Sequence, residues 1–109
     1  MNWLPNATAA HIDDAKIRDY LLDPGNAQNG GKATRFTQNG FDPAHWQTLG
    51  TALRNHPLTN PIAEIVPSSH GIKYVVKCYL QTPDERNPCR TSVWIVDVGG
   101  DIPRFVTAY

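Results

Sequence analysis

The hydrophobic period changes once along this chain, at Pro61, and that change limits the folds open to it. Before Pro61 the apolar residues recur at helical spacing; after it they alternate. In "DDAKIRDYLL" Asp13 stands as an N-cap, and Ile12 and Ile17 have the spacing of a hydrophobic staple. Ile17, Tyr20 and Leu21 then share one side of a helix that "DPGN" stops. "AQNGGKATRFTQNGF" predicts a second, short helix with Ala33 and Phe36 inward, ending at Gly40. A third begins at Asp42 with Pro43 in its first turn, carries Trp46, Leu49, Ala52 and Leu53 on one face, and ends in "NHPLTNP".

Beyond Pro61, "AEIV" reads as a short strand and "GIKYVVKCYLQ" as a long one. The long strand sets Ile72, Tyr74, Val76, Cys78 and Leu80 against Lys73, Val75, Lys77, Tyr79 and Gln81. "TPDERNPC" is a loop, "RTSVWIVDV" a third strand, "GGD" a turn and "IPRFVTAY" a last strand. Strict alternation there places Phe105, Thr107 and Tyr109 on one face and Arg104, Val106 and Ala108 on the other. The expected fold is α+β: about three N-terminal helices packed on one face of a C-terminal antiparallel sheet of about four strands. The other sheet face is left for function. The 109 residues are read as one domain, helical over 1–60 and sheet over 61–109.

Charge names no partner, because Lys plus Arg and Asp plus Glu both total 10. A neutral chain is poorly suited to wrapping a long nucleic acid, since each phosphate contact normally needs a cation. Cys78 and Cys89 lack metal-ligand spacing and read as free thiols in a reducing compartment. The start "MNWLPNATAAHIDD" is no secretory signal and no stretch approaches membrane-spanning length, so a cytoplasmic location without membrane contact is expected.

Two groups of residues carry candidate chemistry. In "NGGKATRF", glycines precede a helix start, and Lys32 with Arg35 three residues on are placed to grip one phosphodiester; Walker-loop spacing is absent. On the sheet, Lys73 and Lys77 share a face that Arg90 and Arg104 reach if the strands form a meander. Tyr79 and Trp94 would then offer stacking surfaces for single-stranded RNA. His70, in "SSHG", is the histidine at a strand mouth and a candidate acid or base. The carboxylates fall at caps and turns, so neither metal nor cofactor is expected. The chemistry these residues favour is metal-free phosphodiester cleavage, in which the ribose 2′-hydroxyl attacks its own phosphate.

In this order, "LPNA", "KIRDYLLDP", "GGKATRF", "NGF", "GIKYVV", "TSVWIV" and "IPRFVTAY" resemble the bacterial domain-of-unknown-function family 6883 over nearly the whole chain. The helical front with "GGKA" and the sheet ending in "PRFVTAY" also resemble toxin domains of the barnase, EndoU, colicin and RelE-like group, many of them metal-independent ribonucleases. By that looser resemblance Lys32 contacts the phosphate, Thr107 lies beside the scissile group, and Arg104 and Tyr109 flank it. The paired histidines of better-known members have no counterpart, leaving the proton-handling group open between His70 and Tyr109. The leading expectation is a toxin-like ribonuclease with catalytic Lys32, His70, Thr107 and Tyr109, and with Arg35, Lys73, Arg90 and Arg104 on RNA. The alternative is a non-catalytic interaction module: an antitoxin, immunity or accessory protein, using exposed Trp3, Trp94 and Tyr109. Expected partners are RNA or a cognate antitoxin or immunity protein, and the chain is a monomer or a homodimer. Convergence of Lys32, Lys73, Arg90, Arg104 and Thr107 in one cleft would favour the nuclease, and scatter the interaction module.

Overall fold

The computed structural model of the chain describes residues 2–29 and 31–109. Four antiparallel strands, β1 (Ile62–Ser68), β2 (Gly71–Tyr79), β3 (Cys89–Asp97) and β4 (Arg104–Ala108), pair in the order β1-β2-β3-β4. The expected meander is therefore present, and the fold is α+β.

The helical part is smaller than the periodicity predicts. Among the described residues one helix is long, α2 (Trp46–Thr59); α1 (Lys32–Thr37) has only 6 residues. The first expected helix is a π-helical turn over Lys16–Leu21, closed by a bond from the Leu22 N–H to the Ile17 carbonyl. Its apolar residues explain the wider turn. Ile17, Leu21 and Leu22, all buried, are spaced i, i+4, i+5, which suits a turn closed at i+5 better than one closed at i+4. Asp13 still caps it, its carboxylate accepting from the Ala15 N–H at 3.1 Å. Asp42 likewise caps the 3-10 turn Pro43–His45 that leads into α2. The helix runs through Pro57, beyond its expected end. The proline has no N–H to donate back along the helix, but it stands only two residues before the end, where the Asn60 N–H and side chain both cap the His56 carbonyl.

The helical elements cover the sheet face that carries Val76, Trp94, Phe105 and Ala108. These pack with Ile17, Leu21, Leu22, Phe36, Leu49 and Leu53 in one core. Strict alternation in the last strand fails, because Phe105 and Ala108 are both buried. The cause is a bulge: Trp94 pairs with Phe105 but Val93 with Thr107, so one step on β3 spans two on β4. Trp94, expected as an exposed stacking surface, is instead 0% exposed, edge-on to Phe105.

The β1–β2 turn depends on one glycine. Gly71 has φ +143°, and a Cβ there would lie 2.2 Å from the Val96 carbonyl oxygen. Gly71→Ala should therefore destabilise the protein by about 2 kcal/mol or more, read as a lower urea midpoint.

Candidate functional site

Three segments meet at the β4 edge of the sheet: the π-helical turn, the start of α1, and the strand beyond the bulge. The Lys32 ammonium donates to the Tyr20 hydroxyl at 2.9 Å and to the Thr107 hydroxyl at 3.0 Å. It also lies 5.2 Å from the Tyr20 ring centroid and 5.8 Å from that of Tyr109. Lys16 also approaches, 6.0 Å from the Tyr20 ring and donating to the Val106 carbonyl at 3.4 Å. Each group is delivered by a local irregularity. The wide turn leaves Tyr20 half-buried above a buried Ile17 and Leu21, and the bulge shifts Thr107 out of strict alternation.

The buried Asn29 fixes the spacing between Tyr20 and Lys32. Its amide N–H group donates to the Tyr20 and Asp23 carbonyls at 3.0 and 2.7 Å, while its oxygen accepts from the Gly31 N–H at 3.0 Å. One side chain thus ties the end of the π-helical turn to the entry of α1.

Electrostatically the cluster is cationic. Among the described residues neither Lys16 nor Lys32 is ion-paired with a carboxylate. The Lys32 hydrogen bond holds the Tyr20 phenol below its ordinary pKa, helped by Thr107 and by the charges of both lysines, while burial opposes the shift. A phenol acidified by an adjacent ammonium can exchange protons, and a partly buried ammonium with a donor to spare can bind an anion.

Of the residues singled out in the sequence, Lys32, Thr107 and Tyr109 come together, and the others do not. His70 is exposed in the β1–β2 turn. It lies five residues from Val75, which pairs with Val93 and so with Thr107, about 16 Å along the sheet and out of reach of the site. Lys73 and Arg104 flank Ile95 on one rung of the open sheet face, as the meander requires. Arg104 is committed to Asp97 through two bonds of 2.8 and 3.0 Å. Arg90 turns inward, donating to the Asn39 side-chain oxygen at 2.8 Å. Arg35 is exposed and does not join Lys32 in a grip on one anion, for Lys32 points back toward Tyr20 and Thr107. Gly30 of the "GGKA" loop lies outside the described residues.

The site therefore stands at the edge of the sheet rather than on its open face. Lys16 and Tyr20 are the members that sequence reasoning missed. The adjacent Leu21 and Leu22, both buried, are the sequence feature that accompanies the widened turn carrying Tyr20. Grooves of about 380 and 230 Å³ lie elsewhere, between α2 and the loop after β2, and another of about 240 Å³ lies between α2 and the segment 12–17. Among the described residues no group of three or more His, Cys, Asp or Glu is placed to hold a metal ion, and no helix is long and apolar enough to cross a membrane.

Compared with known families, the chain matches the Domain of unknown function (DUF6883) over residues 3–109. It belongs to that family. No curated protein matches this DUF6883 chain. Among solved structures it is similar to a chain of a "Contact-dependent growth inhibition toxin - immunity protein complex from Klebsiella pneumoniae 342". That similarity has a TM-score of 0.67 and 20% identity, covering 89% of this chain and 95% of the other. At that identity the likeness establishes a shared fold. The DUF6883 chain builds on it the Lys32 cluster just described.

Proposed function

We propose that this chain is a toxin-type ribonuclease that cleaves RNA without a metal ion, at the site formed by Lys16, Tyr20, Lys32, Thr107 and Tyr109. The observation that carries the reading is the Lys32 ammonium, held by two hydroxyls beside an acidified phenol and without a carboxylate partner among the described residues. A phosphodiester supplies the missing negative charge. Tyr20, as phenolate, takes the proton of the ribose 2′-hydroxyl as that oxygen attacks phosphorus. Lys32 and Lys16 stabilise the charge that develops on the phosphoryl oxygens, and Thr107 fixes one of them. The bond to the 5′-oxygen breaks, the Tyr109 phenol protonates it, and a 2′,3′-cyclic phosphate remains. The similarity to a chain from a toxin–immunity pair supports placing the protein in such a system with a cognate partner, which for a toxin is an immunity protein.

The test is incubation of the purified protein with single-stranded RNA in the presence of a chelator. Tyr20→Phe, which keeps the ring in the core but removes the titrating oxygen, should lower the cleavage rate about 100-fold. As the base, Tyr20 gives a wild-type rate that rises with pH until the phenol is ionised, and that limb should vanish in the variant. A rate and pH profile unchanged in Tyr20→Phe would remove Tyr20 from the mechanism.

The interaction-module reading keeps one observation in its favour. Ile65, Val66 and Ile72 are exposed on the β1–β2 hairpin, and Lys73, Arg90 and Arg104 are spread rather than gathered. A chain without cleavage activity that binds a cognate toxin through this hairpin would fit that arrangement.

A further inference from the structure

Cys78 and Cys89 occupy adjacent rungs of the β2–β3 ladder, where Cys78 pairs with Arg90 and Tyr79 with Cys89. In a regular ladder, residues one rung apart point to opposite faces. Cys78 breaks that rule with φ +125°, a conformation that residues with a side chain rarely adopt. A glycine would hold this backbone without strain; cysteine instead places a thiol against Cys89. The two thiols are near enough for Cys78 to influence the ionisation of Cys89. Cys89 is exposed and Cys78 partly covered, so one thiol meets solvent while the other waits behind it.

Exposure, not acidity, makes Cys89 the thiol that an oxidant meets first. The neighbouring Cys78 thiol and burial push the Cys89 thiol above its ordinary pKa, and the positive charges of Lys77 and Arg90 only partly offset them. The pair also stands at a structural neck. Directly beyond it the Leu80 N–H donates to the Pro88 carbonyl at 3.0 Å, closing the loop between β2 and β3. On the inner side the Cys78 carbonyl accepts from the buried His56 ring at 2.8 Å, which anchors Cys78 in place.

We propose that Cys78 and Cys89 form a redox modification site, converted by a low-molecular-weight disulfide into a cross-strand disulfide that clamps the neck of the 80–88 loop. The Cys89 thiolate attacks one sulfur of the oxidant, whose S–S bond breaks and releases one thiolate, which takes up a proton. The Cys78 thiolate then attacks the Cys89 sulfur of the mixed disulfide and expels the second small thiol. Two protein thiols lose two hydrogens in all, and the oxidant gains them as two thiols. The cross-link closes a loop of the unfolded chain and so favours the folded state.

The experiment treats the full chain with oxidised glutathione and follows free thiols, intact mass and Tm. The expected result is loss of both titratable thiols, a mass lower by two hydrogens, and a Tm raised on the order of 10 °C, all reversed by dithiothreitol. Cys89→Ser, a change at an exposed position, should leave the Tm unmoved by the same treatment. Wild-type protein that keeps both thiols, or that stops at a stable glutathione adduct on Cys89, would overturn the proposal. None of these readouts depends on RNA cleavage.

Discussion

Lys32→Met is expected to abolish most RNA cleavage, lowering the rate about 100- to 1,000-fold, the range seen when one preorganised donor is removed from a developing oxyanion. Methionine approximates the length and volume of the lysine stem, so the contacts with the Tyr20 and Tyr109 rings are largely retained. The two hydroxyls that lose the ammonium are half-buried, and replacing their bonds with water costs about 1 kcal/mol. The variant should therefore fold, with a Tm within several degrees of the wild type. The same substitution removes the largest influence holding the Tyr20 phenol down, so its absorbance titration should move upward toward the ordinary tyrosine value near 10. Loss of cleavage together with that shift assigns the charge of Lys32 to both roles. Loss of cleavage in an unfolded variant would not count, and circular dichroism separates the two.

Trp94→Ala should have the largest effect on stability, about 3–5 kcal/mol by urea unfolding. The indole is fully buried and packs on Phe105, and its N–H donates to the Ser92 hydroxyl at 2.9 Å. That hydroxyl meets His56 Nδ1 at 2.7 Å, and His56 Nε2 meets the Cys78 carbonyl at 2.8 Å. A carbonyl can only accept, so Nε2 carries a proton; in the neutral ring Nδ1 then accepts from Ser92, and Ser92 accepts from Trp94. The chain of bonds is complete with a neutral imidazole. Burial pushes the His56 pKa below its ordinary value near 6.5, against the backbone hydrogen bonds at Cys78 and Arg90. With the folded value depressed, the unfolded chain binds the extra proton first. His56 thus contributes stability above about pH 6.5, and that contribution falls away as the pH drops from there toward the lower folded value. Urea midpoints between pH 7.5 and 5 should fall, and fall less in a His56→Gln variant.

The period change at Pro61 located the meander because a two-residue repeat with one buried face has few other solutions, and each strand paired with its sequence neighbour. Asp13, Asp42 and Gly40 were readable as helix ends for equally local reasons. What escaped was irregular: the π-helical turn around Tyr20, the bulge beside Thr107 and the inward Trp94. A bulge arises from packing between strands, here the need to bury both Phe105 and Ala108, and leaves no local signature. Lys32 and Thr107 were legible as chemistry from their residue types and from the family resemblance. Tyr20 read as a core residue because its helical spacing fits the core equally well. The cations on the sheet were misleading for an electrostatic reason: Arg104 has Asp97 seven residues before it, and Arg90 has Asn39 far away in sequence, so neither is free for a ligand.

The central claim is metal-free attack by a 2′-hydroxyl at the Lys32 site. Its most direct test is an oligodeoxynucleotide carrying a single ribonucleotide, incubated with the purified protein and a chelator. The account predicts one cut, on the 3′ side of that ribose, leaving a 2′,3′-cyclic phosphate, with no cut by Lys32→Met. An intact oligonucleotide, a cut that appears only with added divalent metal, or equal cutting by Lys32→Met would contradict it.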